Sequence, residues 1–258
     1  MNKFDTKIIA LSNQKGGVGK TTSSINIASY LAASEIPTLI IDLDPQANTS
    51  SGLGLEIGSY DESIYDVIVN GVNLKKVIQK TELSYLDIAP SSQQLVGAEI
   101  ELVSELKREY LLKESLKKIK GKYKFVIIDC PPSLGLLTIN VLTASDSLII
   151  PIQCEYYALE GLSQLLNTIR LVQKRLNKKL KIEGILVTMY DTRLNLSKQV
   201  VGELEDYFKN KVYGTYIHRN VRLSEAPSHG KPILLYDASS TGAQNYMNLV
   251  SEIIADNE

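Results

Sequence analysis

A chain of 258 residues, 44% of them hydrophobic, is long enough to bury a substantial core and short enough to form one large domain over residues 1–258. A formal net charge of −1 excludes nucleic-acid binding through bulk charge, so any such role rests on local clusters. Two cysteines, Cys130 and Cys154, and no secretory signal point to a reducing, cytoplasmic setting, and no apolar run nears the roughly 20 residues that span a bilayer.

Short β-branched apolar runs recur at Lys7–Ser12, Thr38–Asp42, Phe125–Asp129, Ser147–Pro151 and Ile185–Met189. Their apolarity is continuous rather than alternating, which predicts strands covered on both faces. Helical patterns fall between and after them, at Lys20–Ser34, Ile100–Ile119, Leu159–Leu176 and Leu196–Asn210, while Gly52–Thr81 reads as helical excursions and loops. This alternation predicts an α/β fold, a doubly wound, mostly parallel sheet flanked by helices. The C-terminal stretch Tyr246–Glu258 is acidic and lacks the basic amphipathic pattern of a membrane-surface anchor.

Between the first strand and the first helix lies NQKGGVGKTT, Asn13–Thr22. The common phosphate-loop pattern is Gly, four residues, then Gly-Lys-Ser/Thr, and here Gln14 stands where the first glycine belongs. The strand-to-helix context is nonetheless the required one. Gly16, Gly17 and Gly19 let the backbone approach phosphate, and their N–H groups with the helix N-terminus form an anion site that runs through Val18 to Thr22. Lys20 neutralises the β- and γ-phosphates, and the Thr21 hydroxyl completes a Mg²⁺ shell. Asp129, ending an apolar run, binds that cation through water, and Pro131-Pro132 stiffen the turn beyond it. The unusual element is Lys15. Placed before the glycines it projects out of the nest, where it can reach the phosphates of a second copy and supply charge stabilisation in trans.

The run Lys15–Thr21 resembles the deviant Walker A motif of the ParA/MinD family of P-loop ATPases. IDLDPQ (Ile41–Gln46), DCPPSLGLLTIN (Asp129–Asn140), PIQCEYYALEGLSQLLNT (Pro151–Thr168) and RNVRLSEAPSHGKPI (Arg219–Ile233) are similar to its chromosomal ParA group, and the likeness extends from Ile8 to about Met247. The resemblance implies ATP and Mg²⁺ as ligands and slow hydrolysis to ADP in chromosome or plasmid partition. It places Asp44 near the attacking water and the cation, with Asp42 as the competing candidate. It assigns adenine contacts to the segment Tyr216–Asn220, carried by Asn220 and by His218, which stands where relatives have proline. It implies a homodimer when ATP is bound, nonspecific double-stranded DNA as a ligand, a ParB-type partner that stimulates hydrolysis, and a link to a replication initiator, all on the nucleoid and without a membrane.

For DNA, the resemblance points to Arg193 and Arg222. The residues themselves add Lys198, in a run from Arg170 to Lys198 rich in lysine and arginine, and Lys231; a second cluster, Lys113–Lys124, reads as a solvated helix end. Two relatives are disfavoured. A MinD-like membrane ATPase needs the basic C-terminal helix, and a nitrogenase-iron-protein-like ATPase needs cluster-bridging cysteines that Cys130 and Cys154 do not resemble. A nucleotide-switched regulator of replication is the alternative from another class.

Overall fold

Among the described residues seven strands form one sheet, in the order Gln79–Lys80, Leu86–Ala89, Thr38–Asp42, Phe125–Asp129, Lys7–Leu11, Ser147–Gln153 and Lys181–Thr188, parallel except for the first, on the edge. The computed structural model describes residues 4–155 and 158–257. Tyr156 and Tyr157 of the PIQCEYY run, and Glu258 at the end of the acidic tail, lie outside them. The strands are β1 Lys7–Leu11, β2 Thr38–Asp42, β3 Gln79–Lys80, β4 Leu86–Ala89, β5 Phe125–Asp129, β6 Ser147–Gln153 and β7 Lys181–Thr188. The helices are α1 Lys20–Ala33, α2 Asn48–Gly52, α3 Ile64–Ile68, α4 Leu74–Val77, α5 Leu95–Glu101 and α6 Leu111–Lys117. They continue as α7 Leu136–Ala144, α8 Ala158–Arg175, α9 Asn195–Phe208, α10 Val221–Glu225, α11 Ile233–Tyr236 and α12 Thr241–Ala255.

Alternation along each strand divides the core in two. Ala10, Leu39, Ile41, Val126 and Ile128 face a layer built from α3 through α9. Ile9, Leu11, Ile40, Phe125 and Ile127 face the layer of α1 and α12. Both faces are apolar, so the strands read as continuous runs. β1 lies between β5 and β6, and the chain leaves it through α1 to reach β2 beyond β5. The reversal of strand order beside β1 opens a crevice at the carboxyl ends of the strands, where α/β folds bind ligands.

Several predicted boundaries move. The helix expected over Ile100–Ile119 is two short helices, α5 and α6, separated by a turn in which Lys107 takes φ +58°. α5 packs beside α3, whereas α6 packs on both α7 and α3, and the left-handed turn between them lets each bury its own apolar residues. β4 was not anticipated: its four residues include Asp87, whose carboxylate is buried because Tyr123 donates to it at 2.7 Å and Lys80 pairs with it at 2.8 Å. β6 continues past Pro151 because β1 pairs only as far as Ile149, leaving no strand on that side to miss the proline N–H.

Where β6 meets β7 the register slips, Leu148 opposite Ile182 and Ile149 opposite Gly184. The Tyr213 ring occupies the space beside Gly184 that a Cβ would need, whereas Gly202 on α9 has open space around it. Gly184→Ala is therefore expected to destabilise by about 2 kcal/mol through overpacking, and Gly202→Ala to stabilise by about 0.5–1 kcal/mol through helix propensity. Urea unfolding midpoints of the two variants check both signs.

Candidate functional site

The loop between β1 and α1 is held from both ends. Asn13 Nδ2 donates to the Pro151 carbonyl at 2.7 Å and its Oδ1 accepts from the Lys15 N–H at 3.0 Å. Thr188, at the end of β7, donates to the Val18 carbonyl at 2.9 Å. Gly17 and Gly19 take φ +74° and +81°, the left-handed values that turn successive N–H groups into one concavity. No atom lies within 4 Å of where a Cβ would stand on Gly16 or Gly17, so a phosphate can approach the bare backbone. The first turn of α1, with its unpaired N–H groups, closes the nest.

The two lysines diverge. Lys20 is 6% exposed, and its Nζ reaches back over the loop to the Lys15 carbonyl at 3.0 Å. Burial lowers its pKa, while the carboxylates of Asp129 and Asp44 act to hold the charge. Lys15 sends its side chain the other way, to an ion pair with Glu155. Both members of that pair are substantially exposed, at 36% and 47%, so it is readily exchanged for another anion.

Asp129 is fully buried at the carboxyl end of β5, beneath the nest. Thr21 and Thr49 donate to its Oδ2, each at 2.8 Å, and Ser24 donates to Oδ1 at 3.0 Å. Burial raises its pKa to about 6, against the three hydroxyls that act to lower it. Thr21 and Asp129 thus stand in contact where a Mg²⁺ shell requires a hydroxyl backed by a carboxylate. Among the described residues no three Asp, Glu, His or Cys side chains gather to cage a metal ion. The donor set fits a cation held by Thr21, phosphate oxygens and water, with Asp129 behind the water.

Asp42 and Asp44 part company as well. Asp42 is fully buried, with one oxygen accepting from the Ser50 N–H and hydroxyl at 2.8 and 2.7 Å and the other from the Asp44 N–H at 3.2 Å. Burial, then the charge of Asp129 on the neighbouring strand, lifts its pKa to about 7. It ties β2 to α2. Asp44, 7% exposed, gives one oxygen to the Gln46 N–H at 3.0 Å, while the other takes no hydrogen bond from the described residues.

Thr22, Gly19, Thr188, His218 and Asn220 line one cavity of about 290 Å³, closed by Pro227 and Tyr246. Asn220 spends its carbonyl oxygen capping α10, accepting from Arg222 and Leu223 N–H at 2.8 and 3.3 Å, which leaves its amide N–H groups for a ligand. The His218 backbone N–H donates to Asn245 Oδ1 at 3.1 Å, and its ring stands edge-on to Tyr190. Sequence reasoning missed Ser24, Thr49 and Thr188. Ser24 was legible, lying one turn from Thr21 on the same face of α1; Thr49, brought to Asp129 from 80 residues away, carried no local signal.

The basic residues are redistributed. β7 separates what the run Arg170–Lys198 joins in sequence: its eight residues span about 25 Å, so Lys174 to Lys181 lie at one edge of the sheet and Arg193 and Lys198 at the other. The run is not one patch. Lys179 instead shares a cleft with Lys113, Lys117 and Lys120 and with the carboxylates of Asp5 and Asp146. On the nucleotide side Arg193 makes a two-point pair with Asp191 at 2.9 and 2.7 Å, and Arg222 pairs with Glu225 and Asp237 at 2.9 and 3.4 Å. Lys198 and Lys231 are exposed and form no ion pair among the described residues.

The raised Asp129 pKa sets a signed test. An unfolded aspartate ionises near pH 4, whereas in the fold ionisation waits until about pH 6, so the metal-free protein loses stability as pH rises through that window. Asp129→Asn is expected to abolish Mg²⁺-dependent hydrolysis and to raise the metal-free melting temperature at pH 7.5 by a few degrees. The gain shrinks as pH falls from about 6 to about 4, and calorimetry across that range reads it.

Residues 6–182 match the family described as an AAA domain. The chain is 58% identical over 249 residues to the sporulation initiation inhibitor protein Soj of Bacillus subtilis (strain 168), covering 96% of this chain and 98% of that protein. It is 52% identical over 248 residues to the chromosome partitioning protein ParA of Myxococcus xanthus, covering 96% and 88%. Among solved structures, cobyrinic acid a,c-diamide synthase from Mycobacterium smegmatis with bound ATP analogue and magnesium is similar at a TM-score of 0.85 and 35% identity, over 96% of this chain and 94% of that one. With a two-lysine phosphate loop backed by a buried aspartate, and with these relatives over nearly its whole length, the chain belongs to the ParA/MinD family of P-loop ATPases, in the chromosomal ParA group.

Proposed function

We propose that this chain, as a single ATPase domain, hydrolyses ATP in a cycle that attaches it to DNA and releases it, in chromosome or plasmid segregation. The observation that carries the reading is the divergence of the two lysines: one folded inward over the nest, the other aimed outward and held only by an exposed carboxylate. A Mg²⁺ ion bound with the nucleotide would be held by Thr21, with Asp129 behind its water, and would supply positive charge to the phosphates. Lys20 and the loop N–H groups hold the phosphates, Thr21 supplies a hydroxyl to the cation, and Asp129 orients its water. Asp44, with one oxygen unspent, orients the attacking water. Asn220, His218 and Thr22 take the base and its flank in the cavity beside the nest.

Lys15 couples hydrolysis to assembly. In a homodimer closed over two nucleotides it exchanges Glu155 for the phosphates of the second copy, giving each site a cation that its own chain cannot place. The dimer doubles the contacts to DNA phosphates, so ATP-dependent pairing converts weak attachment into useful affinity on the nucleoid. Lys198 and Lys231 are free to make such contacts, and Arg193 and Arg222 join by trading carboxylates for phosphates. A ParB-type partner accelerates hydrolysis and ends the attachment, and a replication initiator is a further candidate reader of the nucleotide state.

The test is retention on random-sequence duplex DNA at one moderate salt concentration, with ATP, ADP or no nucleotide. Retention only with ATP is expected, enhanced in Asp44→Ala and lost in the double variant Lys198→Glu/Lys231→Glu, whose ATP binding stays normal. Lys15→Ala should bind ATP within about twofold of wild type and lose on the order of a hundredfold in partner-stimulated turnover. Equal retention in every nucleotide state would overturn the switch, and undiminished stimulated turnover in Lys15→Ala would overturn the trans lysine.

A further inference from the structure

Asp44 is fixed by its backbone more than by its side chain. Its N–H donates to Asp42 Oδ1 at 3.2 Å, and its carbonyl accepts from the Ala47 N–H at 2.9 Å and from the Ser91 hydroxyl at 2.6 Å. The carboxylate itself takes one bond, from the Gln46 N–H. The turn that carries it holds Ala47, fully buried, at φ +53°, a left-handed conformation that a residue with a Cβ disfavours. Such a turn persists only where its surroundings hold it.

Ser91 supplies that hold from another strand. β4 runs parallel to β2 with Ala89 opposite Ile41, so the residues leaving β4 lie beside those leaving β2. Ser91, fully buried and two positions past β4, commits each of its polar groups to a different segment. Its hydroxyl donates to the Asp44 carbonyl, and its carbonyl accepts from the Tyr60 hydroxyl at 2.5 Å. Its N–H donates to Ser50 Oγ at 3.0 Å, and that hydroxyl donates in turn to Asp42 at 2.7 Å. Asp42 and Asp44 are thereby both tied to one residue that belongs neither to the phosphate loop nor to the cavity beside it. Ser91 faces instead a groove that it shares with Tyr60, Asp61 and Gln94.

We infer that Ser91 is a positioning residue for ATP hydrolysis: by holding the Asp44 carbonyl it sets where the unspent carboxylate oxygen points, without touching the nucleotide. The inference deepens the assignment of Asp44 to the attacking water and rests on it. A carboxylate orients water only over a narrow range of distance and angle, so releasing the carbonyl costs rate. Affinity for ATP, which the glycine loop and Lys20 supply in that reading, is left in place.

The test compares Ser91→Ala with Ser145→Ala, which deletes another buried hydroxyl, bonded to the Val141 carbonyl at 2.8 Å, just before the amino end of β6. Turnover, equilibrium ATP binding and melting temperature are measured for both, with Asp44→Ala alongside. Ser91→Ala is expected to lose on the order of tenfold in kcat while its Kd for ATP stays within about twofold of wild type, and Ser145→Ala to keep both within about twofold. Wild-type kcat in Ser91→Ala overturns the inference, as does an equal loss in Ser145→Ala or a rise in Kd that matches the loss of kcat. If Ser91→Ala does not fold, Tyr60→Phe carries the test, since it keeps the ring at a half-buried site and removes only the bond to the Ser91 carbonyl. A fall of about threefold in kcat at unchanged ATP binding then supports the inference, and wild-type kcat overturns it. Asp44→Ala separates the outcomes. Wild-type turnover in that variant defeats the assignment of Asp44 and the inference with it, whereas loss of turnover there without loss in Ser91→Ala defeats only the positioning role.

Discussion

The Asp129 carboxylate is the point from which the site is built. Three hydroxyls from two different helices converge on it, Thr21 and Ser24 from α1 and Thr49 from α2, and its strand pairs with both β1 and β2. A buried anion without a partner cation is expensive, and the hydroxyls lower that cost without removing it. The fold therefore holds an ionisable group poised for a positive charge, an arrangement that trades stability for function. Thr21 belongs both to this cage and to the phosphate nest, so the cation position and the phosphate position are set by one side chain.

Around this centre the loop separates two functions within a single residue. The carbonyl of Lys15 receives the Lys20 ammonium and so helps hold that side chain over the nest, while the Lys15 side chain leaves in the opposite direction. A backbone group is fixed by the turn, whereas a long side chain at half exposure is free to change partners. Division of labour between inward and outward cations follows from the geometry of the nest, without a second structural element.

The sheet also sorts charge in space. The glycine loop, Lys20, Asp44 and Asp129 collect at the carboxyl ends of the strands, where loop backbones and helix N-termini are exposed. Lys113, Lys117, Lys120 and Lys179 gather at the opposite edge, about a strand length away. The aspartates of β2 show the same sorting at short range. Asp42 spends one oxygen on Ser50 of α2 and the other on the Asp44 N–H, and Asp44, two residues farther out, keeps one for solvent.

The sequence alone determined what depends on local order: a strand, a glycine turn and a helix between Lys7 and Ala33, an apolar run ending at Asp129, and hence an α/β sheet with a phosphate site at its edge. Continuous apolar runs are legible because both faces of a parallel sheet are covered, and the turn is legible because few residues besides glycine accept φ near +80°. Tertiary structure decided the rest. Thr49 reaches Asp129 only because β2 lies beside β5, the break between α5 and α6 lets α6 reach α7 as well as the α3 that both helices touch, and the basic run Arg170–Lys198 is divided by the strand within it. Each of these turns on which segments become neighbours, and adjacency in space between residues many positions apart leaves no periodicity in the chain to read.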